Sequence, residues 1–101
     1  MEETTNKASL PGQVALITGA GRGIGAAIAA KIASLGAVVV LCGRTRAPLD
    51  STAEAISKAG GRAQALECNV MDLRSVEAAA AHVDKTLGRL DILVKIGRAH
   101  V

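Results

Sequence analysis

The stretch V-A-L-I-T-G-A-G-R-G-I-G at residues 14–25 decides how the chain folds. Its first five residues form a short apolar run of strand length. Glycines follow at positions 19, 21, 23 and 25, where they permit positive φ and close backbone approach in a tight turn. Beyond the turn, apolar residues recur at helical spacing before Gly36, namely Ile24, Ile28, Ile32 and Leu35. The stretch therefore predicts a strand, a glycine turn and a helix, in that order.

The rest of the chain repeats this alternation of strand and helix. The further predicted elements are strands at residues 38–42, 63–68 and 90–94, and helices at 49–59 and from an Asp72 cap through Leu87. Strands that alternate with helices predict a parallel sheet with helices on both faces. The predicted fold class is α/β, as the N-terminal half of a Rossmann-type doubly wound parallel sheet, β-α-β-α-β-α-β. Such a sheet binds ligands beyond the carboxyl ends of its strands, where the strand order reverses.

A single domain accounts for this pattern. A chain of 101 residues, half of them apolar, is long enough to bury a small core. Nothing between residues 11 and 94 has the composition of a domain boundary, so we expect one Rossmann half-domain there. Residues 1–10 are polar and end at the Pro11-Gly12 turn signal, which predicts a disordered tail.

Composition and charge argue against several classes of function. The 12 basic and 9 acidic side chains form no basic cluster, and aromatic residues are absent, so we expect no nucleic-acid partner. No apolar run approaches the roughly 20 residues of a membrane span, and the first residues lack the apolar core of a signal peptide. Cys42 and Cys68 lack metal-ligand spacing and are typical of buried, reduced thiols. We therefore expect a cytoplasmic protein with neither a metal nor a membrane partner.

The glycine turn predicts a nucleotide-binding site. A helix that begins at such a turn offers unpaired N–H groups and the positive end of its dipole to a pyrophosphate. A purely structural turn between a strand and a helix uses the same residues, and this is the alternative. The position of the glycines between a predicted strand and a predicted helix favours nucleotide binding.

The end of the second strand indicates which nucleotide is bound. Residues 42–46 read C-G-R-T-R and contain no carboxylate, the group that NAD-binding proteins commonly use for the adenosine ribose hydroxyls. Arg44 can instead form charge-assisted hydrogen bonds with a 2′-phosphate. We therefore predict NADP as the cofactor; the alternative is that Arg44 and Arg46 are solvated loop charges. The Asn69 side chain and the Val70 backbone are predicted to border the adenine, unless Asn69 only shapes a turn.

Four separated segments carry a resemblance to a known family. In chain order they are V-A-L-I-T-G-A-G-R-G-I-G, L-C-G-R-T, A-L-E-C-N-V-M-D and G-R-L-D-I-L-V. They resemble the short-chain dehydrogenase/reductase family, and within it the NADP-dependent 3-oxoacyl acyl-carrier-protein reductases. The resemblance implies an oxidoreductase that transfers hydride between NADPH and a carbonyl or alcohol substrate, such as a 3-oxoacyl thioester or similar ketone. It also implies assembly as a homotetramer or homodimer.

The same resemblance assigns individual residues. The cofactor contacts carried over position by position are Gly19, Arg22, Gly23, Ile24, Gly25, Arg44, Asn69 and Val70. The family usually has Asp at position 69. After G-R-L-D-I-L-V the family continues N-N-A-G, whereas this chain has Lys95 and Ile96 as its next residues.

The family's catalytic groups are expected outside this chain. They are a Ser and a Tyr-x-x-x-Lys motif that come later in the family's sequence, and this chain contains no Tyr. Without a positioned acid, the alkoxide formed by hydride transfer to a carbonyl has no proton source. We therefore predict no catalytic residue here and an inactive fragment, with a noncatalytic NADP-binding module or sensor as the alternative.

The last residues carry a separate likeness. Residues 96–101, I-G-R-A-H-V, are the translation of ATC GGA AGA GCA CAC GTC, which resembles a common short-read sequencing adapter. The preceding adapter bases, AG, complete a Lys codon after an A, and A is also the first base of any Asn codon. We therefore expect residues 95–101 to be non-native; the alternative is a genuine short protein with a basic tail.

Resequencing the genomic locus tests this expectation. We expect reads that agree with the present sequence up to codon 94, depart from it within codon 95 and continue in frame from an Asn codon. Reads confined to codons 80–94 serve as the control for correct mapping. A genomic read that passes through codons 95–101 to a natural stop would contradict the expectation.

Overall fold

A computed structural model describes residues 9–96 as alternating strands and helices. The elements, in chain order, are β1 (Val14–Thr18), α1 (Gly23–Ser34), β2 (Val38–Gly43), α2 (Arg46–Lys58), β3 (Arg62–Glu67), α3 (Leu73–Leu87) and β4 (Ile92–Val94). Residues 1–8 of the predicted disordered tail and residues 97–101 of the predicted non-native tail lie outside the described residues.

The described strands form one parallel sheet in the order β3-β2-β1-β4. The chain moves outward from β1 to β2 and β3, and then returns to the other side of β1 to form β4. The strand order therefore reverses between β1 and β4, and the predicted half of a doubly wound α/β sheet is confirmed. All residues of β1 are buried, as expected for a central parallel strand covered on both faces.

Two apolar layers hold helices against the two faces of the sheet. α1 and α2 cover one face, and α3 covers the other. The buried residues of the first layer are Ala15, Ile17, Ala20, Ala29, Ala33, Val39, Leu41, Leu49 and Ile56. Those of the second are Val14, Leu16, Val40, Cys42, Cys68, Ala79 and Val83. Alternate residues of β1 thus point to opposite layers, as the period of a strand requires.

The buried face of α1 differs from the prediction. The sheet-facing residues are Gly25, Ala29 and Ala33, whereas Ile24 is 72% exposed. The other residues of the predicted stripe, Ile28, Ile32 and Leu35, are half-buried. Small side chains face the sheet because the helix begins against the glycine turn, where a Cβ on Gly25 would overlap the carbonyl of Gly19. Close backbone approach, rather than side-chain size, sets the position of this helix.

α2 begins three residues earlier than predicted, at Arg46 instead of Leu49. Pro48 lies in its first turn, where the missing N–H of proline breaks no helical hydrogen bond. Leu49 is buried in the core beneath that turn. The sequence pattern located Leu49, the first buried apolar residue of this helix, but not the turn that precedes it.

α3 has the predicted ends. The Asp72 carboxylate accepts a hydrogen bond from the Arg74 N–H at 3.0 Å, which caps the helix. Gly88 closes it in the left-handed conformation, with φ of 80°. The last strand is shorter than predicted and begins at Ile92.

A polar clamp joins β4 to β1 at the amino ends of the strands. The Asp91 carboxylate accepts hydrogen bonds from the Val14 N–H and the Arg89 Nε, both at 2.8 Å. The Asp91 N–H donates to the Val14 carbonyl at 2.9 Å. The hydrogen bonds from Arg89 and from Val14 hold the pKa of the Asp91 carboxyl below its usual value. The clamp therefore fixes the start of the β1–β4 pairing through an ionised side chain.

We predict that Asp91→Asn lowers the melting temperature at neutral pH. Because the folded-state pKa of Asp91 is depressed, its stabilising effect is present above the unfolded-state pKa of about 4 and is lost as pH falls through the folded-state pKa. Melting curves from pH 7 to pH 2.5 should therefore converge for the two proteins at the acid end. The exposed Asp84→Asn serves as the control and should change the melting temperature little. A difference between wild type and Asp91→Asn that is constant over this range would contradict the prediction.

Candidate nucleotide-binding site

The glycine turn lies at the carboxyl edge of the sheet, between β1 and α1. Gly19 and Gly23 have φ of 64° and 63°, in the left-handed region that favours glycine. A Cβ on Gly19 would also overlap the carbonyl of Ile96, in the segment after β4. At Gly25 a side chain is excluded for a different reason, because it would overlap the Gly19 carbonyl. The turn thus brings the start of α1 close to both β1 and the end of β4.

Thr18 fixes the segment that follows β4. Its buried hydroxyl accepts a hydrogen bond from the Ile96 N–H at 2.9 Å and lies 3.3 Å from the Ile96 carbonyl oxygen. These contacts involve only the backbone of Ile96. The backbone at the strand-order reversal is therefore held in place, although Lys95 and Ile96 differ from the N-N-A-G that the resemblance leads one to expect.

Two helices begin at this edge with their first turns free of acidic residues. The N-cap residues, Arg22 of α1 and Thr45 of α2, make no side-chain capping hydrogen bond. The first N–H groups of a helix are unpaired within the helix and carry its positive dipole end. Both N-cap residues line the same cavity, so its electrostatics favour an anion.

This cavity, which we call the arginine cavity, has a volume of about 180 Å³. Its lining residues are Gly19, Gly21, Arg22, Gly43, Arg44, Thr45, Pro48 and Leu49. They include two arginines, Arg22 and Arg44, and no acidic residue. Arg46 is turned elsewhere, because its Nε lies 3.4 Å from the Asp50 carboxylate on the exposed surface of α2. The predicted candidate Arg44 therefore lines the cavity, whereas Arg46 lies on the exposed surface, as the alternative of a solvated charge describes.

A second cavity of about 400 Å³, the base cavity, adjoins the first at Arg44. Glu67, Cys68 and Asn69 complete its lining. Glu67 was missed by the sequence analysis, which looked for a carboxylate only at the end of β2. The signal was present in the pairing, since Glu67 lies opposite Gly43 and parallel strands end at the same edge. Val70 is half-buried and is not among the residues that line this cavity.

Asn69 shapes a turn and also borders the base cavity. Its Oδ1 accepts a hydrogen bond from the Met71 N–H at 3.0 Å, and its own N–H donates to the Ser75 Oγ at 2.9 Å. The alternative that Asn69 shapes a turn is therefore confirmed, and its contact with an adenine stays a prediction. The predicted cofactor residues Gly23, Ile24 and Gly25 lie together in the first turn of α1, with Ile24 exposed to solvent.

The two cysteines lie on the α3 face of the sheet. Both are free and buried, as predicted, and burial together with the neighbouring Cys68 raises the pKa of the Cys42 thiol. Among residues 9–96, no three His, Cys, Asp or Glu side chains are grouped so that they could hold a metal ion. No helix in that range has the length and apolar character needed to cross a membrane.

A third cavity lies away from the carboxyl edge of the sheet. It has a volume of about 440 Å³ and lies in a groove between α1 and α2, lined mainly by alanines such as Ala26, Ala30 and Ala55. No charged side chain lines it. The arginine and base cavities, and not this groove, have the chemistry of a nucleotide site.

The sequence profile of the short chain dehydrogenase family matches residues 13–97. The chain belongs to the short-chain dehydrogenase family. Among curated family members, it is 43% identical over 93 residues to the short-chain reductase protein NovJ of Streptomyces niveus. That match covers 92% of this chain and 36% of NovJ. The chain thus spans about a third of the length of this oxidoreductase relative.

Solved structures of family members share the fold. Hydroxysteroid dehydrogenase from Escherichia coli superposes with a TM-score of 0.85 at 35% identity, over 91% of this chain and 39% of that one. A metagenomic short-chain oxidoreductase in complex with NADP superposes with a TM-score of 0.79 at 46% identity, over 83% and 38%. The predicted Rossmann-type architecture is therefore that of the family.

We predict that Gly25→Ala destabilises the chain more than Gly23→Ala does. An alanine at position 23 would be strained only by the positive φ, at a cost of about 1 kcal/mol. At Gly25 the new Cβ must displace the Gly19 backbone, and overpacking of this kind costs about 1–3 kcal/mol. Urea unfolding measures both, with Gly60→Ala as a control that also has positive φ and open space around it. Equal losses at Gly23 and Gly25 would show that the close approach to Gly19 is unimportant.

Proposed function

We propose that the protein binds NADP(H) and serves hydride transfer between NADPH and a carbonyl or alcohol substrate. The observation that carries this proposal is the arginine cavity, where Arg22 and Arg44 reach one small space from two separate loops. A phosphate monoester carries a charge near −2 at neutral pH and accepts several hydrogen bonds, which two guanidinium groups can supply.

The other parts of the site fit the remaining groups of the cofactor. The pyrophosphate suits the start of α1, where the positive φ of Gly19 and Gly23 permits a tight turn and the helix offers unpaired N–H groups. The 2′-phosphate suits the arginine cavity, and the adenine suits the adjoining base cavity beside Asn69. NAD lacks the 2′-phosphate that these two arginines would neutralise. The NADP complex of the metagenomic relative, 46% identical to this chain, supports the choice.

The nicotinamide of this cofactor supplies the hydride when bound. We assign no catalytic role to any of residues 9–96, whose contribution is binding and orientation. As substrate we propose a 3-oxoacyl thioester or similar ketone; relatives 35% and 39% identical to this chain are named fatty acyl-CoA reductases. We further propose a homotetramer or homodimer in the cytoplasm, where the free Cys42 and Cys68 thiols stay reduced.

We predict that Arg44→Ala weakens NADPH binding about 10- to 100-fold, because hydrogen bonds to charged groups are worth about 1.5–3 kcal/mol. NADH binding should change less than threefold, since NADH lacks the 2′-phosphate. Titration calorimetry with both nucleotides, on the protein encoded by the complete reading frame, measures the two affinities.

Arg46→Ala is the matched control for this experiment. It removes the same side chain two residues away, where the guanidinium contacts Asp50 instead of the cavity. Its affinity for NADPH should stay within about twofold of wild type, because exposed ion pairs contribute little. An unmutated protein that prefers NADH, or an equal loss in the two variants, would overturn the proposal.

A further inference from the structure

The glycine turn is held from outside by the first turns of α2. A Cβ on Gly21 would lie 3.0 Å from the Pro48 Cβ, and one on Gly43 would lie 3.2 Å from the Leu49 Cδ2. Gly21 precedes Arg22, and Gly43 precedes Arg44. The start of α2 therefore packs against both backbone segments that carry the arginines of the cavity.

One hydrogen bond connects α2 to the glycine turn. The Thr52 hydroxyl donates to the Gly21 carbonyl at 3.2 Å, across 31 residues of sequence. A threonine within a helix commonly turns its hydroxyl back to the carbonyl four residues earlier. Thr86 of α3 does so, since it donates to the His82 carbonyl at 2.8 Å. Thr52 makes a tertiary contact instead.

This contact fixes the orientation of a peptide group at the cofactor site. The Gly21 carbonyl and the Arg22 N–H belong to one trans peptide plane, in which they point in opposite directions. With the carbonyl held by Thr52, the N–H points away from Thr52. Within residues 9–96 the Arg22 N–H has no hydrogen-bond acceptor. Arg22 is the N-cap of α1, so this N–H adds to the unpaired donors at the start of the helix.

We propose that Thr52 is a positioning residue for the cofactor, which holds the Gly21–Arg22 peptide so that its N–H faces a pyrophosphate oxygen. The inference rests on the proposed function and adds a residue that touches no part of the ligand. The pyrophosphate is common to NADPH and NADH. Loss of the Thr52–Gly21 hydrogen bond therefore weakens the binding of both nucleotides equally, whereas loss of Arg44 weakens mainly the binding of NADPH.

Thr52→Val tests the proposal, because valine keeps the shape of threonine and lacks the hydroxyl. We expect the affinities for NADPH and NADH each to fall about three- to tenfold, the range of one neutral hydrogen bond, with their ratio unchanged. Thr52→Ser restores the hydroxyl and should restore both affinities to within twofold of wild type. Calorimetry at a temperature well below melting, with circular dichroism to verify folding, gives these values.

Thr86→Val is the matched control, since it removes a helical threonine hydroxyl far from the glycine turn. It should leave both affinities within twofold of wild type. The inference is overturned if Thr52→Val binds like wild type, if serine fails to rescue it, or if only NADPH binding falls. An unmutated protein that binds neither nucleotide overturns the proposed function and this inference together. Normal Arg44-dependent binding with no effect of Thr52→Val overturns the inference alone.

Discussion

The close approach of the Gly19 carbonyl to Gly25, which leaves no space for a Cβ, is the constraint on which the rest of the site depends. It sets the distance between the end of β1 and the first turn of α1, and so the place where the helix N-terminus lies. A side chain at position 25 would push the helix away from the sheet edge. Since a helix end attracts anions only over about its first turn, such a shift would remove most of its effect on a bound pyrophosphate.

The parallel sheet brings the two positively charged residues of the site together. Arg22 and Arg44 are far apart in sequence, but each follows the carboxyl end of a strand, and β1 and β2 are neighbours. α2 packs on both loops through Pro48 and Leu49, which keeps Arg22 and Arg44 beside one small cavity. Within residues 9–96 no carboxylate forms an ion pair with either arginine, so both charges are available to a ligand.

The sequence predicted the order of strands and helices because strand runs and glycine turns are local signals. It misplaced the buried face of α1, since hydrophobicity identified Ile24 while close backbone approach selected Gly25 and Ala29. It also missed Glu67 and Thr52. Strand pairing places Glu67 at the site, and helix packing places Thr52 there. Neither placement can be recognised from the residues next to it in the sequence. The glycine turn and Arg44 were predictable because their chemistry is contained in a few consecutive positions.

Thr18 holds the segment after β4 by accepting a hydrogen bond from the N–H of Ile96. Every residue except proline has this N–H group. This hydrogen bond therefore does not depend on which side chains occupy positions 95 and 96. Other side chains at these two positions, beside the reversal of strand order, would leave the hydrogen bond to the backbone unchanged. A backbone anchor of this kind holds the end of β4 against β1 whatever side chains follow the strand.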